Sequence, residues 1–95
     1  MAAYLIANID VLDPVMYEGY RKGVGATIAA HGGRYLARGG PAEVLEGTFD
    51  VKRLVIVEFP DVAAIRTWYA STEYQPLLQL RQRASEGMLM IVEGS

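Results

Sequence analysis

The chain has 95 residues, 52% of them hydrophobic, with nine Lys and Arg against eleven Asp and Glu, a formal net charge of −2. The absence of cysteine excludes disulfides and thiolate metal sites, and a single histidine excludes a multi-histidine centre. The acidic residues do not cluster into a Mg²⁺ motif, so we expect no metal and no other cofactor. Because the charge is balanced and no basic block occurs, nucleic acid is not an expected partner.

The length predicts one domain that spans residues 1–95. The start of the chain lacks the basic segment and long apolar core of a signal peptide. No apolar run approaches the roughly 20 residues that span a bilayer, so we expect a cytoplasmic protein without a membrane partner. A chain this short buries only about 60–65% of its unfolded surface. Its high apolar content therefore suggests that self-association hides part of that surface.

Residues 3–11 alternate between an apolar and a mixed face, which predicts a β-strand. The apolar face holds Leu5, Ala7, Ile9 and Val11, and the mixed face holds Tyr4, Ile6, Asn8 and Asp10. Asp13 and Pro14 then predict the N-cap and first residue of a helix. An apolar stripe at spacings of three and four continues this helix to His31. Gly32 and Gly33 are expected to end it, because glycine accepts the left-handed conformation.

The rest of the chain predicts, in order, a strand at 34–38, a long connection at 39–50, a strand at 52–59, a helix from Asp61 to about Ala70, a second helix that ends at Gly87, and a strand at 88–92. Asp61 is expected to cap the first of these helices. Thr72 and Gln75 resemble a capping box for the second, whose first turn tolerates Pro76.

The order β-α-β-β-α-β, with the second helix broken in two, predicts an α+β ferredoxin-like fold. In that fold both helical layers cover one face of a four-stranded antiparallel sheet. The opposite face would carry Tyr4, Ile6, Leu54 and Ile56, with no segment left to cover it. Burying about 500 Å² of such a surface is worth about 12 kcal/mol before association costs. We therefore expect a homodimer in which two sheets pack face to face as a dimeric α/β barrel.

Five stretches, "HGGRYLARGG", "LEG", "RLVIVEFPD", "AIRTWYASTEYQPLLQLR" and "IVEG", resemble the domain-of-unknown-function family numbered 1330. They occur in that family's order between Tyr4 and Gly94. The family belongs to the dimeric α+β barrel superfamily, so the resemblance implies this fold and a dimer, but no established reaction. The chain departs from the family at Thr72, where proline is usual, and before Arg53, where an aromatic residue and a proline are usual.

His31 and Glu58 are the candidate acid–base residues. His31 titrates near neutrality by default, either as a general base or simply as a favourable charge at a helix C-terminus. Glu58, if buried, could have a raised pKa and act as a base. Alternatively it forms a structural cross-strand pair with Arg34. Asn8 is expected to share the mixed face of the sheet with Glu58, near the ends of adjacent strands.

Arg38 and Arg53 are expected close together, because the end of the first strand of a hairpin lies opposite the start of the second. Two adjacent guanidinium groups need an anion. Glu46, in the intervening loop, could provide it and make a structural ion cluster. A substrate carboxylate or phosphate could do so instead, since the planar fork of arginine binds such groups with two hydrogen bonds. The long loop favours a functional site.

The broken second helix provides the remaining candidates. Trp68 and Tyr69 lie on one stripe and Tyr74 and Arg81 on the next, which is the spacing of core residues. Their polar groups need partners if they are buried. The resemblance also implies a ligand cleft between helices and sheet, so these four residues are expected to form its wall.

Two classes of function remain open at this point. The chain either binds a small anionic or aromatic metabolite, with or without cofactor-independent acid–base chemistry, or it is a non-catalytic ligand-binding or structural homodimer. Superfamily relatives include monooxygenases and isomerases, which is an analogy of fold only. Whether the protein is an enzyme is not decided by its sequence.

Overall fold

A computed structural model describes all residues, 1–95, as seven elements. These are β1 (Ala3–Val11), α1 (Pro14–Ala30), β2 (Arg34–Arg38), β3 (Arg53–Phe59), α2 (Val62–Ala70), α3 (Gln75–Ala84) and β4 (Ser85–Glu93). The strands form one antiparallel sheet in the order β2-β3-β1-β4. This arrangement confirms the predicted α+β ferredoxin-like fold. None of the three helices is both long and apolar enough to cross a membrane.

Two aspartates begin helices as predicted. The Asp13 carboxylate accepts a hydrogen bond from the Met16 amide at 3.0 Å, and the Asp61 carboxylate accepts one from the Ala64 amide at 2.7 Å. Each bond satisfies one of the amides that a first helical turn leaves without a partner. At the end of α1, Gly32 has φ of 79°, the left-handed conformation that stops the helix.

The predicted capping box at Thr72 is wrong. Helix α3 begins after Tyr74, and no side chain caps it. The Gln75 side chain does not bond the start of its own helix as a capping box would. Its amide nitrogen donates to the carbonyl oxygens of Tyr69 at 2.8 Å and Ser71 at 3.2 Å. The glutamine therefore joins the end of α2 to the start of α3.

The predicted end of the last helix at Gly87 is also wrong, because α3 stops at Ala84 and β4 begins at once. The amides of Leu12 and Asp13 donate to the Ala84 carbonyl oxygen at 2.9 and 3.0 Å, which fixes the helix end against β1. Gly87 lies in the strand opposite Ile9. A side chain at this position would overlap the carbonyl group of Asn8, so the glycine allows the two strands to approach.

The hydrophobic core lies between the sheet and the helices. Its largest fully buried side chains are those of Trp68, Tyr74, Phe59, Ile65 and Val57. Leu5, Ala7 and Ile9 of β1 are buried beneath them, as the alternation of β1 predicted. The core is therefore contributed by both layers and is rich in aromatic rings.

The other side of the sheet, here called the open face, has no helix over it. It carries the predicted residues Tyr4, Ile6, Leu54 and Ile56, together with Met88, Met90 and Val92 of β4. The first four are half-buried, and the three from β4 are 41%, 42% and 39% exposed. The molecule measures only 16 Å along its shortest axis. The open face is therefore an uncovered, mostly apolar surface.

Candidate functional site

A cleft lies between the helices and the covered face of the sheet. Its polar lining consists of Tyr17, Tyr20, Arg21, Tyr35, Arg38, Arg53, Trp68 and Arg81, and the remaining lining is aliphatic. Its cavity volume is about 40 Å³, which holds only a few water molecules. A group the size of a carboxylate is on this scale, whereas an aromatic ring is not.

The cleft opens into a shallow depression of about 280 Å³. Glu18, Arg21, Lys22, Arg38 and Arg53 line this depression, which we call the mouth. Four cations thus surround one carboxylate, and that carboxylate is already 3.2 Å from the guanidinium of Arg21. An excess of positive charge at a concave surface attracts anions.

A β-bulge places Arg38 at the mouth. Tyr35 pairs with Val57, but Ala37 pairs with Ile56 and Arg38 with Val55, so Leu36 is an extra residue in β2. Successive side chains of a strand point to opposite faces, and one inserted residue reverses the alternation. The bulge therefore turns Arg38 to the same side as Tyr35, and its guanidinium carbon lies 4.0 Å from the centre of that ring.

Arg53 faces the same cleft from the start of β3, so the structure brings the two predicted arginines together. Neither arginine forms a salt bridge with a carboxylate, since the salt bridges of the chain join Arg21–Glu18, His31–Glu73, Arg34–Glu58 and Lys52–Asp50. Glu46 is exposed and pairs with neither arginine. The internal ion cluster considered from the sequence is therefore not formed.

Arg81 reaches the cleft from α3 and is only 8% exposed. Its Nε donates to the hydroxyl oxygen of Tyr74 at 3.4 Å, and the hydroxyl groups of Tyr74 and Tyr20 are hydrogen-bonded at 2.9 Å. An arginine remains charged at any pH that a folded protein tolerates. Because no carboxylate compensates this buried charge, an anion in the cleft would be strongly favoured.

The tyrosines of the cleft are held in the protonated form. Burial raises the pKa of Tyr20 far above its usual value, and Tyr74 adds to the rise. Burial also raises the pKa values of Tyr17 and Tyr35, although Arg53 and Arg38, respectively, oppose the effect. No Asp, Glu or His lines the cleft, and no group of three such side chains in the chain could hold a metal ion. The interior of the cleft therefore presents hydrogen-bond donors and positive charge, but no carboxylate or imidazole.

The broken helix contributes to the cleft in only two of its four predicted positions. Trp68 and Arg81 line it. The indole nitrogen of Trp68 donates to the Thr27 hydroxyl oxygen at 3.0 Å, which satisfies it inside the core. Tyr74 is completely buried behind Arg81, whereas Tyr69 is 41% exposed on a separate apolar groove between α2 and β4.

Three other predicted site residues lie away from the cleft. His31 is at the end of α1, where Nδ1 is 3.0 Å from the Thr27 carbonyl oxygen and Nε2 is 3.6 Å from a Glu73 carboxylate oxygen. Glu58 forms the cross-strand pair with Arg34 at 2.7 Å, as one of the two alternatives predicted.

Asn8 lies on the open face, and both polar atoms of its side-chain amide form hydrogen bonds with the backbone just before β3. Its nitrogen donates to the Asp50 carbonyl oxygen at 3.0 Å, and its oxygen accepts from the Lys52 amide at 2.8 Å. No contact of Asn8, His31 or Glu58 supports a role for them in the cleft.

Four lining residues were missed from the sequence, namely Tyr17, Tyr20, Arg21 and Tyr35. The first three carried a usable signal, because Arg21 follows Tyr17 by one helical turn at the edge of the apolar stripe of α1. Tyr35 carried none, since its relation to Arg38 depends on the bulge.

Solved structures show the same fold at low sequence identity. A protein of unknown function from Rhodopseudomonas palustris, RPA0582, is 18% identical with a TM-score of 0.78, and the match covers 99% of this chain and 82% of that one. SnoaB, a cofactor-independent oxygenase from Streptomyces nogalater, is 14% identical with a TM-score of 0.68, covering 99% and 93%. A dimeric ferredoxin-like protein of unknown function from Jannaschia sp. CCS1 is 10% identical with a TM-score of 0.70, covering 99% and 100%.

No curated protein matches the chain. A family model does, and it extends over residues 2–95, nearly the whole length. Its description is "Domain of unknown function (DUF1330)". This agrees with the resemblance noted from the sequence motifs, and the chain belongs to that family.

Proposed function

We propose that the protein binds a small anionic metabolite in the cleft between helices and sheet. The observation that carries the proposal is the convergence of three arginines without a carboxylate partner, Arg38, Arg53 and Arg81, on one cleft. Guanidinium groups bind carboxylates and phosphates through paired, charge-assisted hydrogen bonds. A bound anion would supply the negative charge that the protein itself does not.

The shape of the site indicates how such a ligand lies. The anionic group fits the narrow interior, where Arg81 and the Tyr20 hydroxyl provide donors. The larger body of the ligand fits the mouth, which has about 280 Å³ and includes Arg21 and Lys22. A small aromatic or aliphatic carboxylate has both parts, so this is the ligand class that we infer.

Binding without catalysis fits the site better than acid–base chemistry, because the predicted bases His31 and Glu58 do not reach the cleft. A cofactor-independent enzyme is the second candidate. The observation in its favour is the hydroxyl pair of Tyr20 and Tyr74 beside Arg81. Arg81 and the Tyr20 hydroxyl line the cleft, so they would stabilise an oxyanion that forms on a bound substrate. The likeness to SnoaB is compatible with this candidate but is a likeness of fold.

We also propose that the protein is a homodimer that buries the open face of each copy. This face is mostly apolar over the three strands β1, β3 and β4, and no helix covers it. The dimeric relative of known structure supports the proposal. Sedimentation at micromolar concentration should then give a mass about twice 10.4 kDa.

Thermal unfolding with a panel of small anions tests the ligand site. Benzoate, acetate and inorganic phosphate would be added to the wild type, to Arg53→Ala and to Arg83→Ala. Arg83 is exposed on α3, so its replacement removes the same charge outside the cleft. A ligand at 100 times its Kd should stabilise the wild type and Arg83→Ala by about 2.7 kcal/mol, and Arg53→Ala much less. The proposal fails if no anion raises the melting temperature, or if Arg53→Ala responds like the wild type.

A further inference from the structure

The β2–β3 loop, residues 39–52, exposes apolar side chains, and its last residues are bonded to the open face. Val44, Leu45 and Phe49 are 41%, 88% and 51% exposed. Asn8, whose side chain is on the open face, holds the end of this loop through its bonds to Asp50 and Lys52. Phe49 directly precedes Asp50, so it is held near the edge of the surface that the proposed homodimer buries, and Val44 and Leu45 belong to the same loop.

The open face is too small to hold a stable dimer alone. Four strands about 4.8 Å apart, paired over about seven residues of about 3.3 Å each, cover roughly 19 by 23 Å. This amounts to about 440 Å² for one copy, or about 900 Å² for two. Stable, specific interfaces bury about 1,200–2,000 Å² in total. A further element of each copy that contributes several hundred Å² would bring the interface into this range.

We propose that the β2–β3 loop is this element, and that its apolar side chains pack against the rim of the partner copy's open face. This inference rests on the homodimer proposed above. One buried aromatic side chain contributes about 150–250 Å², and two-fold symmetry counts each loop residue twice. Phe49 and Leu45 from both copies therefore account for the missing area. The loop has no other visible reason to expose them, since it forms no strand or helix of its own.

The test compares two aspartate substitutions at equally exposed positions. Leu45, in the loop, is 88% exposed, and Val15, on α1 in the helical layer, is 87% exposed. Each change adds one negative charge at a side chain that the folded protomer does not bury, so both variants should fold. Dissociation constants would be measured by sedimentation velocity over a series of dilutions. We expect dimerisation at least tenfold weaker for Leu45→Asp and unchanged for Val15→Asp.

The outcomes separate the two proposals. A wild type that remains monomeric throughout the dilution series overturns both the homodimer and the role of the loop. A dimeric wild type whose affinity is equalled by Leu45→Asp overturns the role of the loop alone. Equal weakening by both substitutions likewise overturns it, because the effect then follows charge and not position.

Discussion

Arg81 combines features that are rarely found together in a side chain without a function. It is a permanent cation, it is nearly buried, and its observed partner is the neutral hydroxyl group of Tyr74. Buried charges are normally compensated by an opposite charge, because removing an ion from water costs several kcal/mol. The free protein therefore carries an energetic cost at this residue that a bound anion would relieve.

Replacing Arg81 with methionine should separate ligand binding from stability. The substitution keeps most of the unbranched stem and removes the charge. In anion-free buffer, we expect the free energy of unfolding to stay constant or to rise by about 1–4 kcal/mol. The stabilisation by benzoate or phosphate should disappear. Urea denaturation with and without the anion measures both quantities.

Arg83→Met is the matched control, since Arg83 is exposed on the same helix. It should change neither the unfolding free energy nor the response to anions by a significant amount. If Arg81→Met instead lowered the free energy of unfolding by several kcal/mol in anion-free buffer, the contact with Tyr74 would be structural. An anion beside Arg81 would then not be expected.

At the level of the elements, features set by adjacent residues could be predicted from the sequence, whereas features set by contacts between elements could not. Asp13 and Asp61 begin helices because a cap depends on a few adjacent residues, and both were predictable. The end of α3 at Ala84 depends on amides of residues 12 and 13, which are distant in the chain. The side of the sheet to which Arg38 points depends on a one-residue bulge, which the alternation of polar and apolar residues in the sequence does not reveal. The fold was therefore predictable, and part of the site was not.

Two glycines of the β2–β3 loop provide a matched pair of substitutions. Gly39 and Gly47 have φ of +74° and +80°, so alanine strains the backbone similarly at both, by about 1–2 kcal/mol. At Gly39 the added methyl group would meet the guanidinium of Arg53. At Gly47 no atom lies within 4 Å of the added methyl group. We expect Gly39→Ala to displace Arg53 and weaken benzoate binding at least fivefold, and Gly47→Ala to leave binding unchanged.

Isothermal titration of both variants measures this difference. The two proteins should show a similar loss of unfolding free energy, which makes each the control for the other. Wild-type affinity in Gly39→Ala would contradict the assignment of Arg53 to the binding site.

At the level of the whole molecule, the cleft and the hydrophobic core share side chains. Tyr17, Tyr20 and Trp68 are buried core residues and also line the cleft. Core and cleft tyrosines lie on the same apolar stripe, so the signal that separates them is a neighbouring charge, as Arg21 is to Tyr17. Of the polar lining, the sequence accordingly pointed to Arg38, Arg53, Trp68 and Arg81, and not to Arg21 or the three tyrosines.

This sharing predicts a loss of stability in alkaline solution. Burial raises the pKa values of Tyr17 and Tyr20 in the folded state above the value of about 10 in the unfolded chain. Their contribution to stability is complete below pH 10. As the pH rises above 10, the unfolded chain loses protons that the folded protein retains, so unfolding becomes easier. Each tyrosine should contribute about 1.4 kcal/mol per pH unit to this decline until its folded-state pKa is reached.

Urea denaturation at pH 9, 10 and 11 measures the decline. Tyr20→Phe removes one titrating group, so the slope above pH 10 should fall by about 1.4 kcal/mol per unit. An identical slope in wild type and Tyr20→Phe would show that the Tyr20 hydroxyl titrates alike in the folded and unfolded chains.

The extra residue at Leu36 has an evolutionary implication. Deleting one residue from β2 would restore regular pairing and move the positive charge of residue 38 to the opposite side of the sheet, with no substitution at that position. Insertions and deletions, in addition to point mutations, are thus changes by which homologous proteins would gain or lose this arginine at the cleft. Alignments that ignore strand length would pair arginines that point in opposite directions.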